Sequence, residues 1–334
     1  MKTNIPSRRL FLQGSSIALT SWLAVSAGVN ANAQSAADQL RILCSGPAGS
    51  IPDIIARRVA EQLAGRFAHS AIVENRPGAA GQIAVGALKS ASSSTSTVLL
   101  AQGAIATTYP FLYAKLAYDP VVDLRPVSLA GEMSLALAVG PAVPASIGNV
   151  RQLTEWMRLN PGLANVGSPG TGTLPHLLEV MLFREKDVQW QHVVYSGGPP
   201  AIVDLLGGQI AALVLPEGLL RQHKASGRLR VLATSGGQRS AYLPDVATLV
   251  EQGYRNLVVG EWFAFFMSAN ASPSSIEQIS AAIRSALARP ELAAAFAESG
   301  MVAASSTPSE LAVRIASEQR YWEPIIRAAG IRTE

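Results

Sequence analysis

Leu40-Arg41-Ile42-Leu43-Cys44-Ser45-Gly46-Pro47-Ala48-Gly49-Ser50-Ile51-Pro52-Asp53-Ile54-Ile55-Ala56-Arg57-Arg58-Val59 holds the pattern that decides the fold. Leu40 to Ser45 is a short apolar run closed by Gly46-Pro47, the mark of a buried strand rather than a helix. Beyond the break, Ile55, Val59, Leu63 and Phe67 recur every fourth residue, which places them on one helix face. Ser50 and Asp53 fit an S-x-x-D capping box, with Pro52 just inside the helix start. A strand, a glycine turn and an amphipathic helix make one α/β unit, and the unit repeats downstream. Ala71 to Glu74 reads as a second strand, Pro77 to Gly81 as a turn, the stretch to about Ser90 as a helix, and Thr97 to Ala101 as a third strand. This alternation predicts a parallel sheet. The run Ser92 to Ser96 is read as a surface loop.

From about Gly140 the pattern starts again. Asn149 to Leu159 is helical and Ala164 to Gly167 strand-like, and Ser168-Pro169-Gly170-Thr171-Gly172-Thr173 leads into a helix from Pro175. His192 to Val194 is a strand, Tyr195-Ser196-Gly197-Gly198-Pro199 a loop before another helix, and Ala211 to Leu215 and Leu229 to Ala233 are further strands. Two such series predict two α/β lobes. The tail supplies an apolar run, Leu257 to Met267, and helices at Ile276 to Ala288, Glu291 to Ser299 and Glu310 to Ala329. It is too short for a third lobe, so it is expected to return to the first. The division is then 34–138 for the first part of lobe 1, 139–257 for lobe 2, and 258–334 for the return strand and helices.

Ligands of open α/β sheets bind beyond the carboxyl ends of the strands, where loops enter helices. Three loops qualify: Gly46 to Ser50, Ser168 to Thr173, and Tyr195 to Pro199. Each sets glycines beside a helix N-terminus, where unpaired N–H groups and the positive dipole end favour an anion. Ser50, Ser168, Thr171 and Thr173 add hydroxyls, and none of the loops carries Lys or Arg. A carboxylate suits such a cradle better than a phosphate. Taken singly, each loop also reads as an ordinary strand-to-helix turn. No G-x-x-x-x-G-K-[ST], no G-x-G-x-x-G after the first strand and no G-x-S-x-G is present, so nucleotide binding and the common hydrolase constellation find no support. No catalytic residue is therefore assigned. His176 reads as a brace of the second loop or as a ligand contact.

The ends and the composition narrow the function classes. Arg8-Arg9-Leu10-Phe11-Leu12, an apolar run from Ile17 to Val25 and Ala31-Asn32-Ala33 make 1–33 an export signal, of the twin-arginine type or of the general secretory type. The formal net charge is +4, and Lys2, Arg8 and Arg9 all precede the first acidic residue, Asp38, so most of the surplus lies in that signal. The remainder has no basic stripe for nucleic acid. No later run approaches the roughly 20 apolar residues of a spanning helix, so a soluble periplasmic product is expected. Cys44 is the only cysteine and reads as a small buried hydrophobe. The four histidines form no grouping with acids or cysteine, so neither a metal nor a cofactor is expected.

At its loops the chain resembles the Bug family, the receptors of tripartite tricarboxylate transporters. The matching stretches are Gly46-Pro47-Ala48-Gly49 with Asp53, Val73-Glu74-Asn75-Arg76-Pro77-Gly78 to Gly81, and Leu116-Ala117-Tyr118-Asp119-Pro120. Further matches are Gly170-Thr171-Gly172-Thr173 with His176, Asp204-Leu205-Leu206-Gly207-Gly208-Gln209, Arg239 with Leu243-Pro244-Asp245-Val246, and Trp262-Phe263. The resemblance implies an α/β, type II-like periplasmic binding protein whose two lobes are joined by two crossover strands, near Leu135 to Val139 and Val258 to Phe266. It implies a carboxylate held between the lobes by Ala48, Gly49 and Ser50 from one side and Ser168, Gly170, Thr171, Gly172 and Thr173 from the other. Tyr195 and Glu217 complete the candidate ligand set, Tyr195 as a packing surface and Glu217 either facing the cleft or capping its helix. The chain departs from the family at Ser50, where glycine is frequent, and at Ala211 and Leu215, where acids that would meet an ammonium are frequent.

The expected function is an extracytoplasmic receptor that captures a small carboxylated solute and hands it to membrane permease subunits of a tripartite-type transporter. A sensory receptor that passes its loaded form to a signalling protein has the same sequence signature. An enzyme on the same architecture would need an acid, base or nucleophile constellation, which the sequence lacks.

Overall fold

A computed structural model describes residues 37–91 and 97–333. The export signal expected at 1–33 and the polar run at 92–96 lie outside the described residues. One mixed sheet organises the described chain. β1 (Ala37–Cys44), β2 (Ala68–Asn75) and β3 (Thr97–Gln102) pair in parallel, with β1 between the other two. Leu40, Ile42, Leu43 and Cys44 are all buried, as a strand covered on both faces requires.

α1 (Ile51–Leu63) covers one face with Ile55, Val59 and Leu63, and α2 (Gln82–Lys89) covers the other with Ala84, Val85 and Leu88. Burying each Ile, Val or Leu stabilises the fold by roughly 1.5–3 kcal/mol. Ser50 occupies the cap position of α1, but the expected capping box does not form. Its hydroxyl turns to the Pro47 carbonyl at 2.6 Å, and Asp53 reaches the N–H of Gly49 at 2.8 Å instead.

Three single-turn helices, α3 (Ala104–Thr107), α4 (Tyr109–Leu112) and α5 (Pro120–Asp123), lead to β4 (Leu124–Val139). β4 is longer than the crossover anticipated from sequence. Register shifts between Pro126 and Ser128 and between Leu129 and Gly131 interrupt its alternation and hide its first half from pattern reading. Leu124 to Ser134 pairs antiparallel with β9 (Gly260–Ser268), which in turn pairs with β3. Leu135 to Val139 pairs instead with β7 (Ala212–Pro216) and β8 (Arg230–Thr234).

The second lobe builds on that end of β4. It contains α6 (Val150–Leu159), β5 (Asn165–Ser168), α7 (Leu174–Glu185), β6 (Gln191–Val194), α8 (Gly198–Gly207) and α9 (Glu217–Lys224). β5 lies parallel to β6 and β7, so the sheet order is β2-β1-β3-β9-β4-β7-β5-β6. Val259 bonds back to Ser235 before β9 enters the first lobe, which makes the second crossing short.

α10 (Pro273–Leu287), α11 (Pro290–Glu298), β10 (Val302–Ala303) and α12 (Pro308–Ala329) complete the chain. Ile279, Ile283 and Phe296 join Ile42, Ile55 and Val59 in one apolar cluster, so this tail packs against β1 and α1. α12 also reaches the second: Ala328 accepts from Arg184 of α7 at 2.7 Å, and Tyr321 donates to the Asn256 carbonyl at 2.9 Å. Among the described residues no helix is long and apolar enough to cross a membrane.

Candidate functional site

The carboxyl ends of β1, β3 and β7 and the starts of α1, α7 and α8 surround a cavity of about 420 Å³ between the lobes. Lobe 1 contributes Ser45 to Pro47, Ser50, Gly78, Gln102, Met133, Glu261 and Phe263, and lobe 2 contributes Thr173, Gly198, Leu215 and Leu219. Of the ten expected contacts, Ser50 and Thr173 line this cavity. Ala48, Gly49 and Thr171 are exposed on the same loops, outside the lining, and Gly170 and Gly172 lie beside Thr173.

The first loop is held by a buried acid. Asp53 accepts from Gly49 N–H at 2.8 Å, from Asn75 Nδ2 at 2.8 Å and from Arg57 Nε at 3.0 Å. Burial alone would raise its carboxyl, but the hydrogen bonds from Arg57, Gly49 and Asn75 outweigh burial and hold it below the usual carboxylate range. Asn75 also donates to the Gly46 carbonyl at 3.0 Å. The matching residues Asp53 and Asn75 therefore shape the loop instead of facing the ligand, and the Gly49 N–H is already engaged.

The second loop rests on two stacked imidazoles. His176 and His192 lie with ring centroids 3.8 Å apart and planes inclined by 11°. Gly172 N–H donates to His176 Nδ1 at 3.0 Å, and His192 Nε2 pairs with Ser168 Oγ at 2.7 Å. Burial first, and then the neighbouring His192, push His176 down to about 4, so the stack is neutral near pH 7. Gly172 adopts φ +76°, and a Cβ there would lie 3.2 Å from Leu112 Cδ1 of α4, so glycine serves both the turn and the approach of the lobes. Thr173 Oγ1 donates to Gly170 O at 2.7 Å. Ala48, Gly170 and Thr171 donate no main-chain hydrogen bond to any described residue.

Tyr195 and Glu217 stand away from the cavity. Tyr195 packs under Gly167 and donates to Asp204 at 2.8 Å; burial first, and then Asp204, raise its phenol to about 12. Glu217 opens α9, buried, and accepts from Ser240 Oγ at 2.8 Å. It faces a separate cavity of about 610 Å³ bounded by 235–242, β4, β9 and α12. Sequence reasoning passed over Glu261, which does line the cleft. Its only signal is an acid standing at the start of an otherwise apolar strand. Cys44 is buried, and burial lifts its thiol to about 11, as a structural cysteine requires. Among the described residues no three His, Cys, Asp or Glu are grouped to hold a metal.

The model of the tripartite tricarboxylate transporter family receptor matches residues 55–331. The protein BugT of Bordetella pertussis (strain Tohama I) is 29% identical over 287 residues, which span 86% of this chain and 87% of BugT. A solved periplasmic transporter superposes with a TM-score of 0.77 at 26% identity, over 88% of this chain and 98% of its own. An R. palustris protein solved with adipate superposes with a TM-score of 0.79 at 22% identity, over the same shares, a likeness of fold.

Proposed function

The chain belongs to the tripartite tricarboxylate transporter receptor family, and from that premise we propose that it captures a small carboxylated solute in the interlobe cleft. It works in the periplasm and presents its closed form to permease subunits of a tripartite-type transporter. One observation carries this reading: three helix starts converge on a cavity to which Lys, Arg and His contribute nothing among the lining residues. Main-chain N–H groups at helix starts bind a carboxylate without a formal cation. Within the proposed division into 34–138 with 258–334, and 139–257, the ligand bridges the lobes through the main-chain N–H of Ala48 on one side and of Gly170 and Thr171 on the other, while Ser50 and Thr173, whose N–H and hydroxyl groups are engaged within their own loops, line the space between. Gly49, Ser168 and Gly172 support those loops through Asp53, His192 and His176.

Closure requires that the solute favour the closed form, since equal affinity for open and closed forms shifts neither. Titration calorimetry with a panel of small carboxylates, paired with solution scattering, tests the reading. A bound carboxylate should reduce the radius of gyration. A panel with no binder, or a binder that leaves the radius unchanged, would overturn it.

A further inference from the structure

Glu261 is the one charged side chain among the described residues that line the cleft. It stands at the start of β9 opposite Met133 of β4, on the same strand face as Phe263. Its carboxylate accepts no hydrogen bond from any described residue. The elements around the cavity bring no cation to it. The β1–α1 loop and the turn at 77–81 offer Ser, Gly, Pro, Ile and Ala, β3 offers Gln102, β4 offers Met133, and α7, α8, β7 and α9 offer Thr, Pro, Gly and Leu. The titratable group that reaches Glu261 is the Tyr109 phenol of α4, which burial raises and so keeps neutral.

The side-chain donors that line the cavity are spent within the protein, and the Tyr109 phenol, which accepts from Gln102, lies outside that lining. Ser45 Oγ donates to Gln102 Oε1 at 3.0 Å, and Gln102 Nε2 donates to the Ala80 carbonyl at 2.8 Å and to Tyr109 Oη at 3.2 Å. Ser50 and Thr173 hydroxyls are turned to the carbonyls of Pro47 and Gly170. The cleft thus has two unlike ends. Helix starts present N–H groups for a carboxylate, and the floor presents an acceptor that lacks a donor.

We propose that the solute is an amino-acid-like zwitterion whose carboxylate lies at the helix starts and whose protonated amine hydrogen-bonds and pairs with Glu261. This rests on the reading of the cleft as a carboxylate receptor. A partly buried carboxylate is stabilised by a cation and destabilised by a like charge. A dicarboxylate would bring its second anion to a floor that holds an acid and, among its lining side chains, no spare donor. Burial lifts Glu261 to about 7, which agrees with an acid that has no counter-charge until ligand arrives.

The test is calorimetry on matched probes, 4-aminobutyrate against butyrate and succinate, and leucine against 4-methylpentanoate, with the natural chain and Glu261→Gln. The isosteric change keeps the packing, and circular dichroism checks the fold. The amine-bearing probe should bind at least about tenfold tighter than its partner to the natural chain, and the preference should fall to a few-fold or less in Glu261→Gln. Between pH 8 and pH 6 the natural chain should lose affinity for it, because pairing requires ionised Glu261. Carboxylate binding without an amine preference, or a preference untouched by Glu261→Gln, refutes the zwitterion and leaves the cleft reading standing. Tighter binding of succinate on acidification refutes it too, since a protonated Glu261 would then be donating to a second carboxylate. Binding of no probe to either protein removes both.

Discussion

Asp53→Ala removes the anchor of the first loop, and its cost follows from the contacts. The carboxylate is 3% exposed and accepts three hydrogen bonds, from Gly49, Asn75 and Arg57. A hydrogen bond to a charged group is worth about 1.5–3 kcal/mol. Arg57 is half-exposed and regains water when released, so its share falls below about 1 kcal/mol. The exposed Gly49 N–H is rehydrated as well, and the main loss is Asn75 with the order of the loop. The sum is a destabilisation of about 2–4 kcal/mol, a fall in Tm of about 3–6 °C for a chain of this size. Thermal melts followed by circular dichroism measure it, with Asp53→Asn falling between the two.

The pH dependence has a definite sign. The folded carboxyl titrates below the unfolded one, so its contribution is complete above the unfolded value of 3.8 and is lost as pH falls through the lower folded value. The gap between the natural chain and Asp53→Ala should therefore be flat at neutral pH and close in strong acid. Equal melting at pH 7, within about 1 °C, would show that Asp53 does not hold the loop.

His176 gives the converse test in the second loop. Its folded value of about 4 lies below the ordinary 6.5, so the neutral ring is favoured by the fold. Its contribution is complete above pH 6.5 and lost towards pH 4, a decline on the order of 2–3 kcal/mol that denaturant titrations should detect and that His176→Gln should lack. If the two proteins lose stability in parallel over that range, the imidazole is not responsible. Gly218 of α9 meets the other lobe, and a Cβ there would lie 2.1 Å from the Ser299 carbonyl. Gly218→Ala should oppose close approach by about 1–3 kcal/mol, weakening ligand binding by about fivefold to about 150-fold and enlarging the ligand-bound radius of gyration. Unchanged scattering and affinity would mean the lobes close without that contact.

Local chemistry determined much of this protein. The buried run Leu40 to Cys44, the four-residue spacing of Ile55, Val59 and Leu63, and the glycine breaks at Gly46, Gly170 and Gly197 specify strands, helices and the loops between them, because each depends on residues near in sequence. The same signals place α7 and α8 behind glycine-rich loops, where an anion site belongs. Tertiary structure decided what those loops can still donate. Asp53 takes the Gly49 N–H and His176 the Gly172 N–H, each four residues away, but what holds the two acceptors in place is remote in sequence: Asn75 of β2 on Asp53 and the His192 ring stacked on His176. Tertiary structure also moved Tyr195 and Glu217 out of the cleft and brought Glu261 into it. A side chain's local period sets which face of its strand it occupies, whereas the pairing of β9 with β4 sets what that face meets.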